Sequence, residues 1–401
     1  MRLIERKEYM ECLRRWCGRQ VIKVIMGVRR CGKSVLLRMY EEWLLSEGVS
    51  RERVVYVSLE DYDNRGLRDG DALHAYLTSR LSAGEMTYFL LDEIQLCPRF
   101  SEVVASLFMR PKVDVVMTGS NAQLLSGELA TMLSGRYVEI RMLPLSFREY
   151  VEMRGGGEPA RLYRDYVGTS SFPYAVELTG MREELDVYLD GLYNTIVVKD
   201  ILERRRVSEV MVLRSVTEFV FGSVGSELST RRIAGFLTSS GRKTDAKTVE
   251  RYLSCLLESF MIYRAERYDV RGKQVLQNLA KYYVVDVGLR QHVLSNRNQD
   301  VGHILENVVY LELLRRGCKV YVGQFQDIEI DFVAESSAGR TYYQVAATVR
   351  DPQTLTRELE PFRRVRDHYP RVLLTLDEDP NTDYEGIRKI NALDWLLAES
   401  M

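Results

Sequence analysis

Short apolar runs alternate with segments of helical periodicity through the first 150 residues of the chain. Runs at 21–26, 54–59, 88–91 and 113–117 are rich in aliphatic and aromatic residues and have the length of buried strands. From Val35 to Leu45, apolar residues recur three or four positions apart, which predicts an amphipathic helix. Strands that alternate with helices in this way predict a parallel sheet covered by helices on both faces.

The pattern changes in the middle of the chain, where residues 160–225 are predicted to be helical. Two short helices and two strands follow, and either Thr244 or Asp245 caps the second of these helices. The predicted bounds of the four elements are 229–237, 244–257, 260–269 and 281–286. This succession is typical of a winged helix-turn-helix module. The last hundred residues are predicted to form another small α/β unit.

Composition places these elements in a soluble protein of several domains. A chain of 401 residues is too long for one ordinary core. The predicted domain ranges are 1–155, 156–225, 226–295 and 296–401. The apolar content of 46% and charged content of 28% suit a globular protein. The chain has neither an apolar run of membrane-spanning length nor a signal-peptide-like start, so we expect a cytoplasmic protein without a membrane partner.

Cysteine, histidine and net charge exclude further classes. The six cysteines form no C-x-x-C pair, so we expect reduced thiols. Four histidines are too few for a histidine-rich metal site and argue against a histidine-based triad. The net charge of −1 argues against general attraction to nucleic acid, although a local basic patch is compatible with it.

The richest chemical signal is a phosphate-binding loop, G-x-x-x-x-G-K-S, between the first strand and the first amphipathic helix. Its glycines let main-chain N–H groups surround an anion at a helix N-terminus, and Lys33 is predicted to reach the β- and γ-phosphates of ATP. The predicted nucleotide-binding residues are Gly27, Val28, Arg29, Arg30, Cys31, Gly32, Lys33, Ser34 and Val35. A chance glycine turn would not explain the strand and helix on its two sides.

Two carboxylates end the strand at 88–91 and complete a nucleotide site. Asp92 is predicted to hold Mg²⁺ together with the Ser34 hydroxyl. Glu93 is predicted to polarise the water that attacks the γ-phosphate. Two solvated acids at a strand end are the alternative, which the preceding phosphate loop disfavours.

Two further positions are candidates for catalysis. Asn121, or its neighbour Ser120, follows the strand at 113–117 and is a candidate sensor of the γ-phosphate. A capped turn explains the same residues almost as well. Arg136 is a candidate arginine finger, acting in cis or across subunits, or else a surface arginine.

A basic face on the second helix of the winged-helix segment is a candidate contact for duplex DNA. Lys247 and Arg251 share one face at i,i+4 spacing, and Lys243 precedes them. Residues 229–273 carry ten basic and five acidic side chains. The alternative is a structural arm or a surface that binds a protein partner.

The C-terminal α/β unit carries part of a nuclease pattern. Glu306 lies on helix 302–316, and Asp331 and Gln344 lie on two successive strands. Metal-dependent nucleases place such acids around Mg²⁺ beside a lysine. Here a neutral amide stands at position 344 and alanine at 346, where a carboxylate and a lysine are needed. We therefore expect a degenerate site.

Together these residues resemble a family of prokaryotic AAA-type ATPases. The stretches that carry the resemblance are GVRRCGKS (27–34), YFLLDE (88–93), TGSNAQLLSGELATMLSGRY (118–137), LPLSFREY (143–150) and KYYVVDVGLR (281–290). It implies an α/β fold with an N-terminal P-loop NTPase domain, in which an AAA-like parallel sheet has helices on both faces. It further implies a helical and winged-helix middle and a small C-terminal restriction-endonuclease-like α/β domain.

The resemblance extends to single positions. Lys33, Ser34, Asp92 and Glu93 match the family's nucleotide motifs, and Arg136 matches its Gly-Arg after the sensor strand. The chain departs from the pattern of an active nuclease at positions 344 and 346. This departure puts DNA cleavage in question and leaves ATP hydrolysis untouched.

Three hypotheses for function follow. The leading one is a Mg²⁺-dependent ATPase whose nucleotide state switches a C-terminal region that binds DNA or protein. The second is a winged-helix binding module in which ATP is mainly structural. The third is an ATP-regulated, Mg²⁺-dependent nuclease.

Overall fold

The computed structural model describes residues 3–125, 133–197, 201, 210–272, 274–295, 300–326 and 328–399. The chain forms two compact units. The N-terminal unit comprises residues up to Pro144 together with Glu258–Phe260. The C-terminal unit comprises Leu145–Leu257 and the residues from Met261 onward.

A parallel sheet of five strands forms the centre of the described part of the N-terminal unit. The strands are β1 (Ile22–Met26), β2 (Val54–Ser58), β3 (Thr87–Asp92), β4 (Val113–Gly119) and β5 (Tyr137–Arg141). The helices are α1 (Lys7–Trp16), α2 (Lys33–Ser46), α3 (Gly70–Ser79) and α4 (Phe100–Phe108). The four predicted apolar runs and the predicted amphipathic helix are confirmed.

The order of the strands determines which loops meet. That order is β2-β3-β4-β1-β5, and every neighbouring pair is parallel. β4 therefore lies between β1, which leads into the phosphate loop, and β3, which ends in Asp92. Because carboxyl ends of parallel strands share one edge of a sheet, the loops after β1, β3 and β4 converge there.

One charged pair lies within the otherwise apolar centre of this sheet. Lys23 of β1 pairs with Asp114 of β4, and both side chains are fully buried. The Gly18 N–H donates a further hydrogen bond to the Asp114 carboxylate at 2.6 Å. Burial raises the pKa of Asp114, although Lys23 and these hydrogen bonds favour its charged form. The pair explains how a lysine is accommodated in a strand that is buried along its whole length.

The C-terminal unit begins with helices. The helices of its described part are α5 (Phe147–Arg154), α6 (Pro159–Thr169), α7 (Pro173–Glu177), α8 (Arg182–Asn194), α9 (Val210–Gly222), α10 (Thr230–Ser239), α11 (Ala246–Glu258), α12 (Val287–Leu294), α13 (Val301–Arg315), α14 (Pro352–Arg364) and α15 (Ala392–Leu397). Local capping fixes several starts. Asp245, rather than Thr244, caps α11, because its carboxylate accepts the Thr248 N–H at 2.7 Å.

A second, mixed sheet runs through this unit. Its strands are β6 (Glu227–Leu228), β7 (Ile262–Asp269), β8 (Gln274–Val284), β9 (Lys319–Phe325), β10 (Ile328–Ser336), β11 (Gly339–Ala346), β12 (Arg371–Thr375), β13 (Thr382–Tyr384) and β14 (Ile387–Asn391). The order is β13-β14-β12-β11-β10-β9-β7-β8-β6. A parallel pairing of β7 with β9 joins the hairpin of the predicted winged helix to the strands of the predicted nuclease-like unit.

Two features of this sheet differ from the sequence prediction. β8 begins at Gln274, seven residues before the predicted strand, and β6, β9, β12, β13 and β14 lie where no strand was predicted. Among the described helices of the protein, none combines the length and the apolarity needed to cross a bilayer.

Candidate active site

The phosphate loop depends on two glycines that no other residue replaces. Gly32 has φ 108°, a left-handed conformation, and stands directly before the first residue of α2. A Cβ atom on Gly27 would lie 2.0 Å from the Met142 carbonyl oxygen, far inside contact distance. The loop therefore needs glycine at position 32 for its backbone angle and at position 27 for close chain packing. These two features are typical of loops whose main-chain N–H groups bind phosphate at a helix N-terminus.

Lys33 lies inside this loop. Its ammonium donates hydrogen bonds to the carbonyl oxygens of Gly27, at 3.1 Å, and Val28, at 3.2 Å. It also lies 3.7 Å from Oε1 of Glu93, and Lys33 is only 4% exposed. The predicted phosphate-binding lysine and the predicted base are thus brought together, although 60 residues separate them in sequence.

A buried arginine that the sequence analysis did not select holds the loop in place. Arg6 donates to the carbonyl oxygens of Cys31, at 3.2 Å, and Leu143, at 2.8 Å. Its guanidinium lies 5.0 Å from the centre of the Tyr9 ring. Arg6 therefore connects the phosphate loop to the segment after β5. Burial raises the pKa of the Cys31 thiol, which keeps this loop residue neutral.

Asp92 lies at the end of β3 with both carboxylate oxygens engaged. Thr118 of β4 donates to Oδ1 at 2.6 Å, and the Tyr56 hydroxyl of β2 donates to Oδ2 at 3.2 Å. The Thr118 hydroxyl also accepts the main-chain N–H of Glu93 at 2.9 Å. Thr118 was missed as a site residue, because its contact with Asp92 depends on β4 lying next to β3 in the sheet.

Glu93 has a constrained backbone and a held carboxylate. Its φ is 52°, a left-handed conformation uncommon for a side chain of this size. Gln95 donates to Oε2 of Glu93 and, at 3.3 Å, to the Ser120 hydroxyl. Burial alone would raise the pKa of Glu93, but Lys33, Gln95, Arg29 and Ser120 together hold that pKa below its ordinary value. The carboxylate is therefore ionised and oriented.

The two sensor candidates lie at the same sheet edge. Ser120 is 1% exposed and reaches Glu93 through Gln95. Asn121 is 7% exposed, and its carbonyl oxygen accepts the Leu124 N–H at 3.2 Å in a short turn. The sensor motif continues into residues 126–132, which lie outside the described residues.

Arg136 lies at the amino ends of the parallel strands, opposite the ends where the phosphate loop and the two acids meet. Its carbonyl oxygen accepts the N–H of Ile22, the first residue of β1, whereas the phosphate loop follows the last residue, Met26. The rise of β1 separates these edges by about 13 Å at roughly 3.3 Å per residue. The exposed Arg136 guanidinium lies 5.5 Å from the Phe108 ring. This position favours action on a second copy of the chain over action in cis.

The predicted DNA-contacting side chains lie on and before α11. Lys243, Lys247 and Arg251 are all exposed. The Arg251 guanidinium lies 5.2 Å from the centre of the Tyr252 ring, which belongs to the buried face of the same helix. The buried residues Val249, Leu253 and Leu256 fix the orientation of the helix, and this leaves the basic positions on its outer surface.

The predicted nuclease-like residues also come together. The Asp331 N–H donates to Oε1 of Gln344 at 3.3 Å, and Glu306 lies close enough to raise the pKa of Asp331 beyond the rise due to burial. The 344–346 triplet has no lysine, but Lys281 of β8 reaches this cluster. Its ammonium lies 3.1 Å from Oε1 of Glu306. Among the described residues, no group of three or more histidine, cysteine, aspartate or glutamate side chains is arranged to hold a metal ion.

Comparison with known proteins identifies two matching families and two relatives. Residues 19–151 match the AAA domain family, and residues 160–300 match a domain of unknown function, DUF8612. The chain is 38% identical over 400 residues to an uncharacterized protein of Haemophilus influenzae, covering 98% of this chain and 99% of the relative. An uncharacterized protein of Methanocaldococcus jannaschii is 29% identical over 338 residues, which are 78% of this chain and 71% of the relative.

Solved structures give more distant similarities. Cdc6p of Pyrobaculum aerophilum is 13% identical with a TM-score of 0.31, covering 77% of this chain and 95% of that one. AMPPCP-bound DnaA of Aquifex aeolicus is 16% identical with a TM-score of 0.32, covering 63% of this chain and 86% of that one. TM-scores of this size carry no functional conclusion.

Proposed function

We propose that this chain binds and hydrolyses ATP at its phosphate loop. The chain belongs to the same family as the Haemophilus influenzae protein, and the loop lies within its AAA domain. The observation that supports this proposal most strongly is the position of Lys33. Its ammonium lies within the loop, beside the carbonyl oxygens of Gly27 and Val28 and 3.7 Å from Glu93. A buried cation next to a helix N-terminus forms a site for an anion.

The phosphate loop and the side chains beside it are proposed to bind ATP and Mg²⁺ together. The main-chain N–H groups of residues 27–34 surround the phosphates, and Lys33 exchanges its contacts with loop carbonyls for phosphate oxygens. Ser34 and Asp92 would hold Mg²⁺, because hydroxyl and carboxylate oxygens suit a hard cation. When bound, Mg²⁺ neutralises charge that develops on the phosphate oxygens. Thr118 and Tyr56 fix the orientation of the Asp92 carboxylate.

Glu93 is the proposed general base. Its carboxylate is ionised at neutral pH and lies next to the phosphate-binding lysine, so it can accept a proton from the attacking water. Ser120 and Asn121, at the end of β4, are the proposed sensors of the γ-phosphate. Arg136 remains a proposal only as a finger presented to the loop of a second copy of the chain.

Gln95 has a proposed positioning role that a single substitution tests. Gln95→Leu removes the donor that holds Oε2 of Glu93 and contacts Ser120. We expect kcat for ATP to fall about tenfold with KM nearly unchanged, because an oriented base matters in the transition state more than in substrate binding. Steady-state phosphate release measures both constants. Gln20→Leu, at an exposed surface glutamine, is the matched control, and a rise in KM alone would contradict the role.

The direct experiment on the proposed activity is phosphate release by the purified chain, with ATP and Mg²⁺, in the presence and absence of duplex DNA. Turnover is the expected result, and stimulation by DNA would couple the two units. Tight ATP retention without turnover would favour the second hypothesis, a binding module with structural nucleotide.

The nucleotide-regulated binding surface is proposed to be α11. The order of α9, β6, α10, α11, β7 and β8, with β6 and β7 both paired antiparallel to β8, supports a winged helix. Lys243, Lys247 and Arg251 are exposed, which supports a contact with the phosphates of duplex DNA. A protein partner is the other outcome.

Charge reversal on α11 distinguishes the two partners. We expect the double variant Lys247→Glu/Arg251→Glu to weaken duplex binding at least tenfold and to lower the salt slope by about one for each lost contact. Fluorescence anisotropy at several salt concentrations measures both quantities. The matched control is the double reversal Arg182→Glu/Lys319→Glu, at exposed positions on α8 and β9. Equal binding by both variants would exclude α11 as the DNA contact.

A further inference from the structure

A buried lysine occupies the centre of the acidic cluster in the C-terminal unit. Lys281 of β8 lies 3.1 Å from Oε1 of Glu306 on α13 and 2.6 Å from Oε1 of Glu329 on β10. Asp331, two residues beyond Glu329 on β10, interacts electrostatically with the same ammonium. Lys281 is only 4% exposed, so its charge is neutralised by these carboxylates rather than by water.

Further hydrogen bonds hold the side chains of the cluster in place. The Tyr283 hydroxyl donates to Oε1 of Glu306 at 2.6 Å. The Val345 N–H donates to Oδ2 of Asp331 at 2.8 Å. The Gln344 amide accepts the Asp331 N–H at 3.3 Å and donates to Oε2 of Glu358 at 3.0 Å.

The backbone also encloses Glu306. A Cβ atom on Gly225, whose φ is 75°, would lie 2.9 Å from Oε2 of Glu306 and 2.6 Å from the His303 ring. The carboxylate is therefore in close contact with main chain on this side. Glu306 is 5% exposed, Asp331 9% and Gln344 8%, which leaves little access for solvent.

A divalent cation does not fit this arrangement. Mg²⁺ requires near-octahedral oxygen ligands and usually keeps several waters, so its site must be open to solvent and to substrate. Here the space between Glu306 and Glu329 holds an ammonium that contacts both carboxylates. Of the residues that the nuclease pattern assigns to a metal, Glu306 is paired with Lys281 instead, and Asp331 accepts the Val345 N–H.

We propose that Lys281 is the resident cation of this cluster and replaces the divalent metal of a nuclease, so that the C-terminal unit takes a metal only when Lys281 is removed. The lysine neutralises Glu306, which would otherwise be an uncompensated buried charge, and also pairs with Glu329, whose side chain is 36% exposed. This inference concerns the C-terminal unit alone and does not depend on ATP hydrolysis.

Calorimetric titration of the nucleotide-free full chain with MnCl₂ tests the proposal. We expect wild type and Glu306→Gln to give the same isotherm, because Glu306 holds no metal in the wild type. We expect Lys281→Ala to gain one Mn²⁺ site, which the double variant Lys281→Ala/Glu306→Gln loses again. Any weak Mn²⁺ binding at Ser34 and Asp92 is common to all four proteins and cancels in the comparison.

Two results would overturn the proposal: a Mn²⁺ site in wild type that Glu306→Gln removes, or no added site in Lys281→Ala. Lys319→Ala, at an exposed lysine on β9, is the control for loss of a positive charge and should gain no site. Lys281→Ala is expected to lower the melting temperature by about 10 °C, because it leaves buried carboxylates without a counter-charge. Should it fail to fold, a Mn²⁺ site in wild type that Glu306→Gln removes would still overturn the proposal.

Discussion

Replacing Lys33 with alanine is expected to lower ATP turnover about 100- to 1,000-fold, the loss typical when one preorganised donor to developing charge is removed. The side chain lies inside the phosphate loop with its ammonium facing loop carbonyls and Glu93. Substitution removes the buried positive charge that lies inside this loop. Steady-state phosphate release measures the effect.

The control for Lys33→Ala is Lys7→Ala, at an exposed lysine at the start of α1. It removes the same charge from the N-terminal unit without touching the loop, and turnover should stay within twofold of wild type. A Lys33→Ala protein that is folded and retains more than a tenth of wild-type turnover would show that catalysis takes place elsewhere.

Replacing Glu93 with glutamine is expected to stop hydrolysis while leaving ATP binding intact. The substitution preserves shape and removes the proton acceptor, so we expect kcat to fall about 100- to 10,000-fold, the range of general base catalysis. The affinity for ATP should remain within a few-fold of wild type, since the loop donors are unchanged. Single-turnover phosphate release and equilibrium ATP binding, measured on the same preparation, separate the two effects.

Glu102→Gln is the matched control for Glu93→Gln, since Glu102 is an exposed residue of α4 that pairs with Arg99 at 2.6 Å. It should leave both kcat and affinity unchanged. Equal loss of binding and turnover in Glu93→Gln would contradict the assignment of Glu93 as the base and make it a binding residue instead.

The sequence was sufficient to predict the phosphate loop and its acids because their chemistry is local. Glycines at 27 and 32, the lysine at 33 and the strand ending in Asp92 and Glu93 are each recognisable within a few residues. The parallel sheet then brings them together, because strands of this kind end at one edge. Arg136 was the exception. It directly precedes β5, so it lies at the amino ends of the parallel strands, whereas the phosphate loop follows the carboxyl end of β1.

The residues that support the site could not be predicted in this way, because their contacts are distant in sequence. Arg6 reaches Cys31 and Leu143, which lie 25 and 137 residues away. Thr118 reaches Asp92 across two neighbouring strands. No local pattern identifies such partners, since they depend on how the strands are ordered and paired.

The C-terminal unit also depends on a contact that is distant in sequence and could not be predicted. The predicted acids Glu306 and Asp331 are close together. The lysine that pairs with Glu306 is Lys281, which lies on β8, 25 residues before Glu306. The parallel pairing of β7 with β9 brings that hairpin into the sheet, and β9 itself lacked a recognised strand signal. The absence of a lysine from the 344–346 triplet therefore did not mean that the cluster lacks one.

Calorimetric titration of folded Glu93→Gln protein with ATP and Mg²⁺ tests the central claim most directly, because slow turnover removes the heat of hydrolysis. We predict one ATP bound for each chain, and no measurable binding when Lys33→Ala is added to the same protein. No affinity of well-folded wild type or Glu93→Gln protein for any purine nucleoside triphosphate would contradict the claim that the loop after β1 binds nucleotide.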